Sequence, residues 1–238
     1  MARKRTGRTL AEDVYGQLRR EIFTGKRRPG SRLQLKEIAE VQGVSLSVVR
    51  EAATRLTSEG LAESTPQVGF RVRTLSLDDL LDLTWTRVHL ESIALRESIG
   101  NGDVGWEADV VAAHHRLVNT PAILADGSVS PDWMTAHDGF HAALVSACGS
   151  LHLRRLRQQL FDASELYRYW SAALGHDDFD RRMVEIDAQH REILDAALAR
   201  DADRAALLVS EHLRHTTAAL KRAAELADDV SDAMRTDS

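Results

Sequence analysis

From Leu77 almost to the end of the chain the apolar residues return at helical spacing, and each interruption is short and built around glycine or aspartate. Breaks at Gly100-Asn101-Gly102, Asp126-Gly127-Ser128, Gly149-Ser150, Gly175 and Arg200-Asp201 divide this stretch into expected helices over 77–100, 105–125, 131–148, 150–174, 178–200 and 201–227. With only 4 prolines and 14 glycines in 238 residues, little else in the chain opposes helix. The fold class is therefore mainly α, with a bundle of about six helices as its larger part.

The first 75 residues read differently. Leu10, Val14, Leu18 and Ile22 recur every four positions as one face of a helix that Arg27-Arg28-Pro29-Gly30 ends. A second helix runs from about Leu35 to Val41 and stops at Gly43, which can take the left-handed backbone of a sharp turn. Ser45 or Ser47 then caps a third helix carrying Val48, Val49, Ala52, Ala53 and Leu56 inward. Between Leu61 and Arg73 the period shortens to two around Thr65-Pro66-Gln67 and Gly69, which predicts a hairpin. Three helices and a hairpin make an N-terminal winged helix-turn-helix, residues 1–75, followed by an all-helical domain over 76–238.

Charge follows the same division. The overall −5 hides +7 over residues 1–75 and −12 over 76–238, and all 10 histidines fall in the acidic part. A compact basic unit is suited to a polyanion. No run approaches the roughly 18 apolar residues of a membrane span and no apolar leader follows the basic start, so a cytoplasmic protein without membrane contact is expected. The lone Cys148 supplies neither an intrachain disulfide nor a zinc cluster by itself.

The first turn of the last helix in a helix-turn-helix faces base edges in the major groove. Here that turn is Ser45-Leu46-Ser47-Val48-Val49-Arg50, and Arg50 is the expected guanine reader, with Ser45 and Ser47 beside it. Arg32 and Lys36 are placed for phosphates, and Gly69, Arg71 and Arg73 for a groove reached by the wing. Val14–Val72, with Pro-Gly-Ser-Arg-Leu at 29–33, Val-Arg-Glu at 49–51 and Glu-Gly-Leu at 59–61, resembles the winged-helix domain of GntR-type bacterial transcription regulators. Leu46 and Val48 stand where that family usually has arginine and proline, so the resemblance implies double-stranded DNA binding but leaves the operator sequence open.

Histidines interrupt the apolar stripes of the bundle. Met134, His137, His141, Leu144 and Cys148 lie 3, 4, 3 and 4 apart, His190 falls between Ile186 and Ile193, and His212 sits among Leu208, Val209, Leu213 and Thr216. Imidazoles buried together leave donors and acceptors unpaired at roughly 1–3 kcal/mol each, whereas one divalent cation satisfies all of them. His137, His141, His190 and His212 are the expected metal ligands, a neutral donor set suited to Zn²⁺ or Ni²⁺. The remaining histidines, at 89, 114, 115, 152, 176 and 215, are assigned to the surface, His215 doubling as a candidate partner behind a ligand.

The segments FHAALVSACGSLHL and QHREILDAALARDADRAALLVSEHL, within Leu77–Leu226, resemble the helical FCD domain of the FadR branch of GntR regulators. That resemblance implies a metal held by an aspartate and histidine four apart plus two later histidines. His141, His190 and His212 match, His137 occupies the aspartate position, and Asp138 follows one residue on, so either can supply the fourth ligand. It also implies a small carboxylate effector and a homodimer on a palindromic operator, usually as a repressor released by ligand. Arg87 matches an arginine common in the first FCD helix and is read either as an effector clamp or as an i, i+4 salt bridge to Glu91. A metal-dependent enzyme fused to a DNA-binding unit, and a constitutive DNA binder with a purely structural bundle, are the alternatives. No HExxH, nucleophile elbow or phosphate-cradling loop supports catalysis.

Overall fold

The computed structural model describes residues 9–23, 25–74, 76–124, 130–172 and 179–236. It falls into two compact units: residues 1–76 together with 162–170, and 77–161 together with 171–238.

In the first unit α1 (Leu10–Phe23), α2 (Leu35–Gln42) and α3 (Leu46–Ser58) surround a core of Val14, Leu18, Ile22, Ile38, Val49 and Leu56. Each fully buried leucine or isoleucine there contributes roughly 1.5–3 kcal/mol. Gly43 ends α2 at φ 63°, its N–H reaching the carbonyls of Ala39 and Glu40, and the Ser45 hydroxyl starts α3 by accepting from the Val48 N–H. The expected hairpin is β2 (Ala62–Thr65) paired antiparallel with β3 (Gly69–Val72). A third strand, β1 (Arg32–Leu33), joins β3 on its other side and gives the order β1-β3-β2. Two residues carry too little alternation to announce a strand.

The expected boundary at 75/76 assigns all later residues to the bundle. The structure instead groups 162–170 with the first unit, where Leu166 is fully buried in the winged-helix core and Glu165 pairs with Arg19 at 2.9 Å. Partners some 146 positions apart leave no local signal.

The second unit contains α4 (Leu77–Asn101), α5 (Val104–Val118), α6 (Pro131–Leu144), α8 (Phe179–Leu198) and α9 (Ala202–Thr236), with α7 (Leu151–Ala172) contributing its first half. Two expected helices are too long. The one over 105–125 stops at Val118, because the side chains of Asn119 and Thr120 donate back to the carbonyls of His115 and Arg116 and Pro121 cannot extend the ladder. The one over 131–148 stops at Leu144 in a tightened turn whose Ser146 and Cys148 N–H groups reach Ala143 and Val145. Cys148 is nevertheless buried. Among the described residues no helix is long and apolar enough to cross a membrane.

Candidate metal centre and nucleic-acid face

Three helices deliver the four predicted imidazoles to one place. On α6 the i, i+4 spacing brings His137 beside His141, with ring centroids 4.6 Å apart and planes tilted by 57°. His190 on α8 lies 5.0 and 5.2 Å from those two rings, and His212 on α9 lies 4.7 Å from His190. All four are buried, and one ligating atom from each falls within 4.8 Å of the others.

The donor set fits a borderline divalent cation. Burial first, then the neighbouring His137, His190 and His212, and finally Arg157, push the His141 pKa well below its ordinary value. The imidazole is therefore held neutral, the form that binds metal. His141 Nε2 is buried without a hydrogen-bond partner, a donor or acceptor that packing alone does not satisfy. His212 Nδ1 lies 2.9 Å from Gln189 Oε1, and Gln189 Nε2 lies 2.7 Å from His215 Nδ1. An amide oxygen only accepts, so His212 carries its proton on Nδ1 and keeps Nε2 for the cluster. Asp138 is outside the group: its carboxylate lies 4.0 Å from Arg157 Nη1, one helical step round from His137.

Beside the histidines lies a buried charge trio. Arg87 Nη2 donates to Glu91 Oε1 at 2.7 Å, and Arg157 Nε donates to Glu91 Oε2 at 3.3 Å. Burial alone would raise the Glu91 pKa; Arg157 and then Arg87 overbalance it and hold the carboxyl at about 2. Both guanidiniums lie over the Phe161 ring, at 5.2 and 4.7 Å, and that ring faces His137 and His141 at 6.2 Å. The salt-bridge reading of Arg87 is thus realised in the structure.

Arg157 was missed by the sequence reading. It sits in a run of arginines that looks like a solvated face, yet Leu153, Arg157 and Phe161 are four apart and mark an inward stripe. Its Nη2 is buried without a hydrogen-bond partner.

His114, assigned to the surface, is buried with its edge against Phe140 at 5.3 Å. Burial and then Arg191 lower its pKa. His89, His115 and His152 are exposed as expected, His215 is half-buried, and His176 lies outside the described residues.

On the first unit Ser47, Arg50, Glu51, Thr54 and Ser58 are exposed along one side of α3, and Lys36 is exposed at the start of α2. Ser45 is engaged as the helix cap and lies 2.8 Å from the Ser47 hydroxyl. Arg32 is exposed, but its guanidinium donates to the Val68 carbonyl in the wing loop. Arg71 donates to the Gly30 carbonyl at 3.1 Å, and Gly69 has φ 97° with open space where a side chain would stand. Arg73 is half-buried, with Nη1 3.3 Å from where a side chain on Gly60 would begin. Arg50 and Lys36 therefore have the exposure that DNA contact needs, while Arg32 and Arg71 brace the wing.

Comparison with known proteins follows this division. Residues 10–72 match the family described as bacterial regulatory proteins, gntR family, and residues 82–215 match the FCD domain. The chain is 35% identical over 217 residues to the HTH-type transcriptional regulator BphR of Paraburkholderia xenovorans, covering 90% of this chain and 86% of that one. It is 32% identical over 208 residues to the HTH-type transcriptional repressor GlaR of Escherichia coli, covering 84% and 91%. The solved structure of E. coli McbR/YncC superposes with a TM-score of 0.72 at 21% identity, over 90% of this chain and 98% of that one, a likeness of fold.

Proposed function

Because the chain belongs to the GntR family of bacterial regulatory proteins, in the FadR subfamily with an FCD domain, it is a ligand-responsive DNA-binding transcription regulator, and we propose that it senses a small carboxylate at a metal held by His137, His141, His190 and His212. The observation that carries this reading is the convergence of four buried imidazoles from three helices within 4.8 Å. A bound Zn²⁺ or Ni²⁺ would supply a dipositive Lewis-acid centre to which a carboxylate oxygen can coordinate. The chain's own residues do the rest. Gln189 orients His212, Phe161 walls the site with an apolar face, and Arg87 and Arg157 offer charge-assisted hydrogen bonds to the far end of an anion.

The regulator acts in the cytoplasm as a homodimer on a palindromic operator, with Arg50 and Ser47 reading bases and Lys36 on phosphates. Ligand shifts the population between arrangements that bind DNA differently, and can do so only by its differential affinity for them. Repression relieved by ligand is the proposed sense; the relative GlaR is itself a transcriptional repressor. The role is regulatory and not catalytic.

The test is metal content of untagged protein purified without chelator, followed by operator affinity, on a site selected from random DNA, with and without a panel of mono- and dicarboxylates. About one zinc or nickel per chain and a carboxylate-dependent change in affinity are expected. Metal-free protein after reconstitution, or affinity unmoved by every carboxylate, overturns the proposal.

A further inference from the structure

Resting on the metal reading above, we infer that Trp133 is a positioning residue for the site: its indole lies against the face of the His137 ring and fixes the plane in which that imidazole offers a lone pair. Trp133, His137 and His141 follow one another at intervals of four on α6, so the indole stands one turn before the first ligand on the same side of the helix. Its ring centroid is 5.0 Å from that of His137, with the planes inclined by only 28°, a stacked pair. All three side chains are buried. Phe161 on α7 adds a second ring, 6.2 Å from His137 and inclined by 30°.

Face and edge have different consequences for an imidazole. Both of its nitrogens bind in the plane of the ring, so a group packed on the face restrains the ring without occupying either of them. Phe140, by contrast, meets His141 and His190 at 63° and 70°, contacts made edge to face. His212 is oriented in a third way, by the hydrogen bond from its Nδ1 to Gln189. The cluster thus uses an aromatic support for His137 and a polar one for His212.

The indole is itself held. The Trp133 backbone N–H donates to the Ser130 hydroxyl at 3.3 Å, Pro131 opens the helix, and the Ser130 N–H reaches the Ala122 carbonyl at 2.8 Å. Trp133 therefore belongs to a first turn that is pinned at its cap. Stacking also changes with occupancy. A cation that draws on the imidazole lone pair leaves the ring electron-poor, and the negative face of an indole attracts such a ring more strongly than a neutral one. A contact that strengthens as metal enters adds to metal affinity, whereas one equal in both states adds only to stability.

The test is a double-mutant cycle on metal affinity, with Zn²⁺ competed against a chelator of known strength in wild type, Trp133→Leu, His137→Ala and the double variant. Trp133→Leu should weaken Zn²⁺ about tenfold, the lower end of what an outer partner of a metal-bound histidine contributes. Trp133→Phe, which keeps a ring, should recover most of that loss. On the His137→Ala background Trp133→Leu should cost nothing further, because it acts through that imidazole. An equal loss on both backgrounds, or affinity unmoved by Trp133→Leu, overturns the inference while leaving the four-histidine site standing. Co²⁺ reports the geometry: its visible absorption bands in Trp133→Phe should match those of wild type, and in Trp133→Leu should shift towards those of His137→Ala. A purely structural Trp133 would lower the stability of the metal-free chain and leave the bands in place, and unshifted bands overturn the positioning role. If Trp133→Leu does not fold, Ni²⁺ decides: it should quench wild-type tryptophan emission, and Trp133→Phe should bind Ni²⁺ yet lose most of that quenching. Equal quenching in the two overturns the contact. A wild type that takes up none of the three metals overturns the site itself and this inference with it.

Discussion

Glu91→Gln isolates the energetics of the buried charge trio. The substitution keeps the shape of the side chain and removes the carboxylate that Arg87 and Arg157 share. The Glu91 pKa falls from 4.5 in the unfolded chain to about 2 in the fold. At about 1.4 kcal/mol per unit, that difference is worth roughly 3 kcal/mol at pH 7. The cost of breaking a buried ion pair by removing one partner is of the same size, about 3–5 kcal/mol. Because the folded pKa is depressed, the contribution is present in full above about pH 4.5 and lost as the pH falls towards 2. The gap between wild type and Glu91→Gln should therefore be about 3 kcal/mol at pH 7 and shrink to about 1.5 near pH 3. Urea unfolding followed by tryptophan fluorescence reads it, since Trp85, Trp106 and Trp133 all lie in the unit that holds Glu91. EDTA in the buffer removes metal linkage from the comparison. A gap under about 1 kcal/mol at neutral pH, or one that does not narrow with acid, would refute the assignment of Glu91 as the ionised hub of the trio.

Three further outcomes follow from the same geometry. His190→Ala should lose bound zinc or nickel while keeping its helical circular dichroism, and metal content equal to wild type would remove His190 from the ligand set. Metal-free protein should lose stability as the pH falls below about 6.5, because the unfolded histidine takes up a proton that buried His141 resists; a thermal midpoint flat between pH 7.5 and 5.5 would contradict this. Arg50→Ala should cost about 1–3 kcal/mol of discrimination at one operator base pair, measured by fluorescence anisotropy against matched and mismatched duplexes, whereas Arg32→Ala should weaken all sequences alike by loosening the wing.

What could be read from the sequence divides by range. Gly43, Ser45 and the apolar spacing of α1 and α3 act within a few residues, and their places in the winged helix were legible. The histidine cluster was also legible, because each imidazole interrupts a stripe whose direction helical geometry fixes. Arg157 was not: its partner Glu91 is 66 positions away, and a basic run on a helix ordinarily means solvent. The grouping of Leu166 with the winged-helix core has the same cause, as has β1, whose two residues acquire strand geometry only by pairing with Phe70 and Arg71. His114 shows the converse error, since a histidine in a polar run near the end of α5 looked exposed until Phe140 covered it.

Gln189 stands between two imidazoles, and an amide has one end that takes and one that gives. His212 and His215 therefore cannot choose their tautomers independently. With the oxygen towards His212 and the nitrogen towards His215, one ring must offer its Nδ1 proton and the other must present a bare Nδ1. Turning the amide over would reverse both at once and place the His212 proton on Nε2, the atom the cluster uses. His215 is half-buried and its Nε2 lies 3.7 Å from Glu185, so this chain of three side chains carries the state of a group at the protein's edge to an atom sealed inside it.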